Sequence, residues 1–189
     1  MIRWTAIAAL SLLSLACQGA EVAGVKLPGN THVGGRELVL NGAGLRTQVF
    51  FRIYVAALYL PSRSAVASEV LALPGPTRIS MVLLRDLTAQ QLIEALNNGI
   101  RDNHTPAEVD RLRPRIEMLS KVMTAIAAAR KGSVITLDYL PDAGTQVGVD
   151  GSSKGAPLPG DDFFRALLRI WLGDDPVDAT LKKALLGAS

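Results

Sequence analysis

The run from Val49 to Leu60, VFFRIYVAALYL, constrains the fold of this chain more than any other stretch. It is dense in β-branched and aromatic residues and is stopped by Pro61, so it predicts a strand. Side chains of a strand alternate between two faces. Val49, Phe51, Ile53, Val55 and Ala57 make one face, which reads as plain core; Phe50, Arg52, Tyr54, Ala56 and Leu58 make the other, which mixes polar heads with apolar neighbours. Two readings of the mixed face stand side by side. It is either the solvent side of a half-covered sheet, with arginine and tyrosine lying along it as amphipathic cover, or the wall of an apolar cleft that receives an anionic head group. Arginine suits the second role because it keeps its charge at any working pH and grips a carboxylate through two parallel hydrogen bonds, while tyrosine adds a neutral donor.

Strands precede helices along the chain. EVAGVKLP and RELVLNG are short alternating segments, and Asn41-Gly42 is the strongest two-residue turn signal, predicting a hairpin there. Thr77 to Leu84 is a further strand, opened after Pro74, Gly75 and Pro76. The helices are announced by their caps. Thr88 with Gln91 forms a capping box ahead of Leu92, Ile93, Leu96 and Ile100, and Thr105, Pro106 and Glu108 repeat the device. The second helix is predicted to run to about Arg130, with Pro114 kinking or splitting it. Val134 to Leu140 and Thr145 to Val149 read as hairpin arms, with Asp150-Gly151 starting another turn. Two last helices span Asp161 to Leu172, stopped by Gly173, and Pro176 to Leu186, stopped by Gly187. This order implies an α+β fold: an antiparallel sheet with a layer of helices packed on one face.

With 189 residues, 49% of them hydrophobic, one domain over residues 21–189 is expected. Residues 1–20 read as a secretory signal peptide: Arg3, an apolar run from Trp4 to Ala16 too short to span a bilayer, then small residues, with cleavage after residue 16 or 20. A secreted, periplasmic location follows. A lipid anchor on Cys17, the single cysteine, is the lesser alternative, since such signals carry Leu three residues ahead and Ser14 stands there. The chain remaining after residue 16 has 19 basic against 17 acidic groups and no transmembrane segment.

That near-neutral balance, with no clustered basic face, argues against nucleic acid. His32 and His104 have no carboxylate or cysteine at a ligand spacing, so no metal and no cofactor are expected. Serine-hydrolase, metalloprotease and nucleotide-loop motifs do not occur. GAG at 42–44 reads as a turn between strands, and Asp161-Asp162 as helix-start acids that complement the dipole.

GAGLRT, IYVAALYL, LTAQQLIEALNNGI, GTQVGVDG and the helical tail after LPGDDFF resemble, in that order, the chalcone isomerase family in its broad sense, including its plant fatty-acid-binding members. The resemblance covers roughly residues 22–187. It implies an antiparallel sheet, a layer of helices and a ligand cleft between them. By the same resemblance, the arginine that meets the ligand's negative charge falls on Arg46. Tyr54 takes the place of a threonine of the true isomerases and of a tyrosine of the fatty-acid-binding members. The family's helix tyrosine and asparagine fall on Leu92 and Gly99, with Asn98 one place away. The catalytic tyrosine is therefore missing, and the resemblance implies a non-catalytic protein that binds a fatty acid or similar small amphipathic carboxylate. Arg46, Arg52, Tyr54 and Asn98 would serve the head group, and Leu92, Leu96 and Phe163 would line the tail. An isomerase acting on an enone-like substrate and an envelope interaction protein without ligand are the alternatives. If residues 46 to 54 were one unbroken strand, roughly 26 Å would separate Arg46 from Tyr54. Either the chain bends between Arg46 and Phe50, or the working pair is Arg52 with Tyr54, about 6.6 Å apart on one face.

Overall fold

In the computed structural model, which describes residues 19–126 and 128–187, the apolar run after residue 50 forms an inner strand of a seven-stranded antiparallel sheet. The predicted leader up to residue 18, with Cys17, lies outside the described residues. In chain order, β1 (Ala20–Val22) and β2 (Val25–Leu27) make a small ribbon, followed by β3 (Asn30–Val33), β4 (Arg36–Gln48) and β5 (Phe51–Leu60). A short helix α1 (Ala67–Ala72) leads to β6 (Thr77–Leu83). Then β7 (Leu87–Thr88), α2 (Ala89–Asp102), α3 (Pro106–Ala125) and β8 (Ala128–Ala129) cross over, β7 pairing with β8. The chain returns through β9 (Val134–Leu140), β10 (Gly144–Val149) and β11 (Ser152–Leu158) and ends in α4 (Asp161–Leu172) and α5 (Ala179–Leu185). The sheet order is β11-β10-β9-β6-β5-β4-β3, so the fold is α+β with an antiparallel sheet and helices against it, as the element order implied.

Both capping boxes form with their reciprocal bonds, Thr88 with Gln91 and Thr105 with Glu108. Helix α3 runs through Pro114 without splitting, the proline lying exposed, and it ends at Ala125 rather than near Arg130. The last helix starts at Ala179, capped by Asp178, rather than at Pro176. Helix α1 and strand β11 were not foreseen.

The hairpin expected at Asn41-Gly42 is the main correction. β4 passes straight through these residues, with a register shift between Leu40 and Gly42, and the chain turns instead at Val49 and Phe50. Asn41 is buried; its amide donates to the carbonyls of Leu185 at 2.7 Å and Ser64 at 3.0 Å, and its oxygen accepts from Ser64 N at 2.8 Å. Gly42 lies so close under the last turn of α5 that an added Cβ would stand 2.1 Å from the Ala184 carbonyl oxygen, and at Gly44 it would stand 2.7 Å from the Ala184 Cβ. Tertiary contact thus uses both residues of the local turn signal, and GAG is strand, not turn. The face reading changes with it. Val49 and Phe51 are exposed rather than core, while Val55 and Ala57 are buried.

Strand β5 is covered on both sides. Ala56, Leu58 and Leu60 join the helix-side core with Leu96, Leu119, Phe163, Leu167 and Leu181. Val55, Ala57 and Tyr59 join a second cluster with Leu27, Val33, Leu38 and Leu40. Helices α3 and α4 are clasped by Arg115, which makes two hydrogen bonds to Asp162 at 2.5 and 2.7 Å and lies over the Phe163 ring at 5.4 Å.

Because the Gly42 methyl would meet backbone rather than a movable side chain, Gly42→Ala is expected to destabilise the protein by about 1–3 kcal/mol. Chemical denaturation followed by circular dichroism checks this, with Gly132→Ala, which meets nothing within 4 Å but sits at positive φ, as a control for backbone strain alone.

Candidate functional site

The turn at Val49 and Phe50 folds β5 back on β4 so that Arg46 and Tyr54 become direct cross-strand partners. Directly opposed residues have Cβ atoms about 5 Å apart. The separation that a straight strand would impose is removed, and of the two pairings left open, Arg46 with Tyr54 is the one the fold brings together.

Both residues reach toward the C-terminal helices. The Tyr54 hydroxyl accepts a hydrogen bond from Trp171 Nε1 at 2.9 Å, on the last turn of α4. The Arg46 guanidinium donates to the carbonyl of its neighbour Thr47 and approaches Asp178 Oδ2 at 3.5 Å. This ion pair is largely buried, with the Arg46 and Asp178 side chains 20% and 13% exposed. Asp178 is also the N-cap of α5, its Oδ1 accepting from the backbone N–H of Thr180 at 2.9 Å and Leu181 at 3.1 Å. One carboxylate oxygen is thus committed to the cap and the other faces the guanidinium. Burial pushes the Tyr54 phenol up to about 12, against the lowering effects of the Trp171 N–H and the Arg46 charge, with Asp178 adding to the rise. Tyr54 therefore remains a neutral phenol at working pH, and among the described residues its own hydroxyl hydrogen has no acceptor.

The other expected residues are distributed differently. Arg52 is exposed, next to the hairpin turn. Leu96 is buried and Leu92 half-buried, both on the side of α2 that packs into the helix-side core, and Phe163 is fully buried there. Asn98 lies on the solvent face of α2 and accepts from Arg101. Gly99 is buried under α4; an added Cβ would stand 2.7 Å from Ile170 Cγ2, so the helices touch where a larger side chain would have to fit. Trp171 and Asp178 were missed from the sequence. Asp178 carries a local signal, an N-cap residue ahead of ATLKKAL; Trp171 reads only as part of an apolar helix face.

The chain belongs to the chalcone isomerase-like family, whose model matches residues 19–187. Among solved structures, it is similar to a fatty-acid binding protein of Arabidopsis thaliana at 15% identity, with a TM-score of 0.67 over 89% of this chain and 96% of that one. No curated protein matches.

Tyr54 and Tyr59 are both raised by burial from 10.0 to about 12, while the unfolded chain loses these protons near 10. Their contribution to stability is therefore complete below pH 10 and is lost as pH rises from 10 to 12. Denaturation midpoints should fall across that window, and Tyr54→Phe should flatten part of the fall.

Proposed function

We propose that this protein binds a long-chain carboxylic acid, with Arg46 and Tyr54 holding the head group and the tail lying between sheet and helices. The observation that carries this reading is that Arg46 already holds a carboxylate in a largely buried setting, and holds it loosely. Two other pairs, the partly buried Arg78 with Asp138 and Arg115 with the exposed Asp162, each make two hydrogen bonds of 2.5 to 2.7 Å. Arg46 makes a single contact to Asp178 at 3.5 Å. A ligand carboxylate could replace that contact with a two-pronged grip and accept the unused Tyr54 hydroxyl hydrogen. A phenol raised to about 12 suits this donor role better than proton transfer to a substrate, for which a value near the working pH is wanted. The likeness to a fold neighbour named as a fatty-acid binding protein supports the same reading.

The tail would lie among Leu92, Leu96 and Phe163, where apolar burial at about 25 cal/mol per Å² would supply the larger share of affinity. That region is filled by side chains, so entry of a tail would require helix α2 to part from α4, which it packs against at Gly99 and Ile170. The same proposal has the chain exported after cleavage at residue 16, since cleavage after residue 20 would remove Ala20 from its pairing with Leu27.

Displacement of a fluorescent fatty acid, with native mass spectrometry of the purified protein, tests the reading. Arg46→Ala should weaken binding roughly 10- to 100-fold, the worth of a charge-assisted hydrogen bond. Asp178→Asn should tighten it, because asparagine still caps the helix while releasing the guanidinium. Wild-type protein that neither carries nor takes up a fatty acid, or an Arg46→Ala variant with unchanged affinity, overturns the proposal.

A further inference from the structure

The β4–β5 hairpin ends in three consecutive exposed apolar side chains: Val49 is 81% exposed, Phe50 94% and Phe51 60%. Val49 has φ 56°, the left-handed region that a β-branched residue rarely adopts and that glycine or asparagine would fill without strain. Turn chemistry does not explain an apolar residue there. An apolar tip does.

The charges around the tip are mostly basic, four cations against the carboxylates of Asp86 and Asp150. Leu84 N bonds to the Ile53 carbonyl, and Gly132 N to the Leu83 carbonyl, so the segments 84–86 and 130–132 share this end of the sheet with the hairpin. They bring Arg85, Arg130 and Lys131 beside Arg52, all exposed, with Arg85 over the Phe51 ring at 5.0 Å. None of the four is in an ion pair among the described residues. The acids at this end are turned onto backbone donors: Asp86 accepts from Lys131 N at 2.7 Å, and Asp150 from Val134 N at 2.8 Å.

We propose that this end of the sheet docks on an anionic lipid surface, with Val49, Phe50 and Phe51 entering the interface and Arg52, Arg85, Arg130 and Lys131 lying against the head groups. A projecting tip of three side chains is far smaller than the 1,200 Å² or so that a stable protein interface buries. A fluid bilayer conforms to such a tip, and an apolar point within a cationic rim is what interfacial anchors present. The tip starts three residues beyond Arg46, so docking would set the candidate head-group site beside the lipid surface; the docking itself needs no bound fatty acid.

The test uses the full chain with Cys17→Ser and Phe50→Cys, an environment-sensitive fluorophore attached at position 50, and phosphatidylcholine vesicles with or without phosphatidylglycerol. The expected result is a blue-shifted, brighter emission on phosphatidylglycerol vesicles and little change on phosphatidylcholine alone. Adding Arg52→Glu and Arg85→Glu should raise the lipid concentration needed about ten-fold or more. The dye reports only its own surroundings, so vesicle association through any other part of the chain leaves it in water and overturns the proposal. A shift without lipid that grows with protein concentration also overturns it, by showing that a second copy covers the tip.

Discussion

The packing of one helix backbone on a strip of missing side chains organises the half of this molecule that holds the candidate site. Helix α5 runs antiparallel along β4, with Ala184 over Gly42, Leu181 over Gly44 and Asp178 at Arg46. Two strand residues and three helix residues advance by comparable distances, about 6.6 and 4.5 Å, so the two elements stay roughly in step over a short helix. Contact this close is possible only where β4 carries no Cβ. Asn41 fixes the far end by bonding to the Leu185 carbonyl, one of the helix-end groups that needs a partner outside the helix. With that end pinned, the near end of α5 delivers the capping carboxylate to the guanidinium.

Burial of both faces of β5 follows from the same arrangement. Helices cover one face, and the other carries the second apolar cluster beside the β1–β2 ribbon. Polar groups on that second face are internally matched. Arg78 and Asp138 are cross-strand partners joined by two hydrogen bonds of 2.6 Å, Arg78 also reaches Thr31 at 2.7 Å, and Tyr59 donates to the Pro28 carbonyl at 3.0 Å. A strand covered on both faces has no need for alternation, which is why the run from Val55 to Leu60 is apolar throughout.

Elements whose signals are local were legible in the sequence. The capping boxes at Thr88 and Thr105, the helix from Asp161 to Leu172 and the arms of the β9–β10 hairpin are decided by residues within a turn or two of one another. The first hairpin was misplaced because its strongest local signal, Asn41-Gly42, is used for contact with a helix some 144 residues away in sequence, while the real turn is built from residues that no turn rule selects. Arg46 and Tyr54 were visible as polar residues in apolar surroundings. Their pairing depended on where the chain reversed, and their partners Trp171 and Asp178 come from the far end of the chain. Helix patterns place such residues on a face but do not say which strand they meet.

The double duty of Asp178 sets the character of the site. A guanidinium this far from solvent needs a counter-charge, and removing that charge without a substitute leaves a costly unpaired cation. Yet Asp178 is not free to swing both oxygens onto Arg46, because Oδ1 is held by the N–H groups of Thr180 and Leu181. The cap therefore limits the ion pair to one long contact, while Arg78 and Arg115 elsewhere in the same protein reach two short ones. Arg46 is thereby oriented and incompletely satisfied next to a phenol with a spare hydrogen. A foreign carboxylate entering there would displace no part of the helix cap, since the oxygen that caps α5 is not the oxygen that meets Arg46.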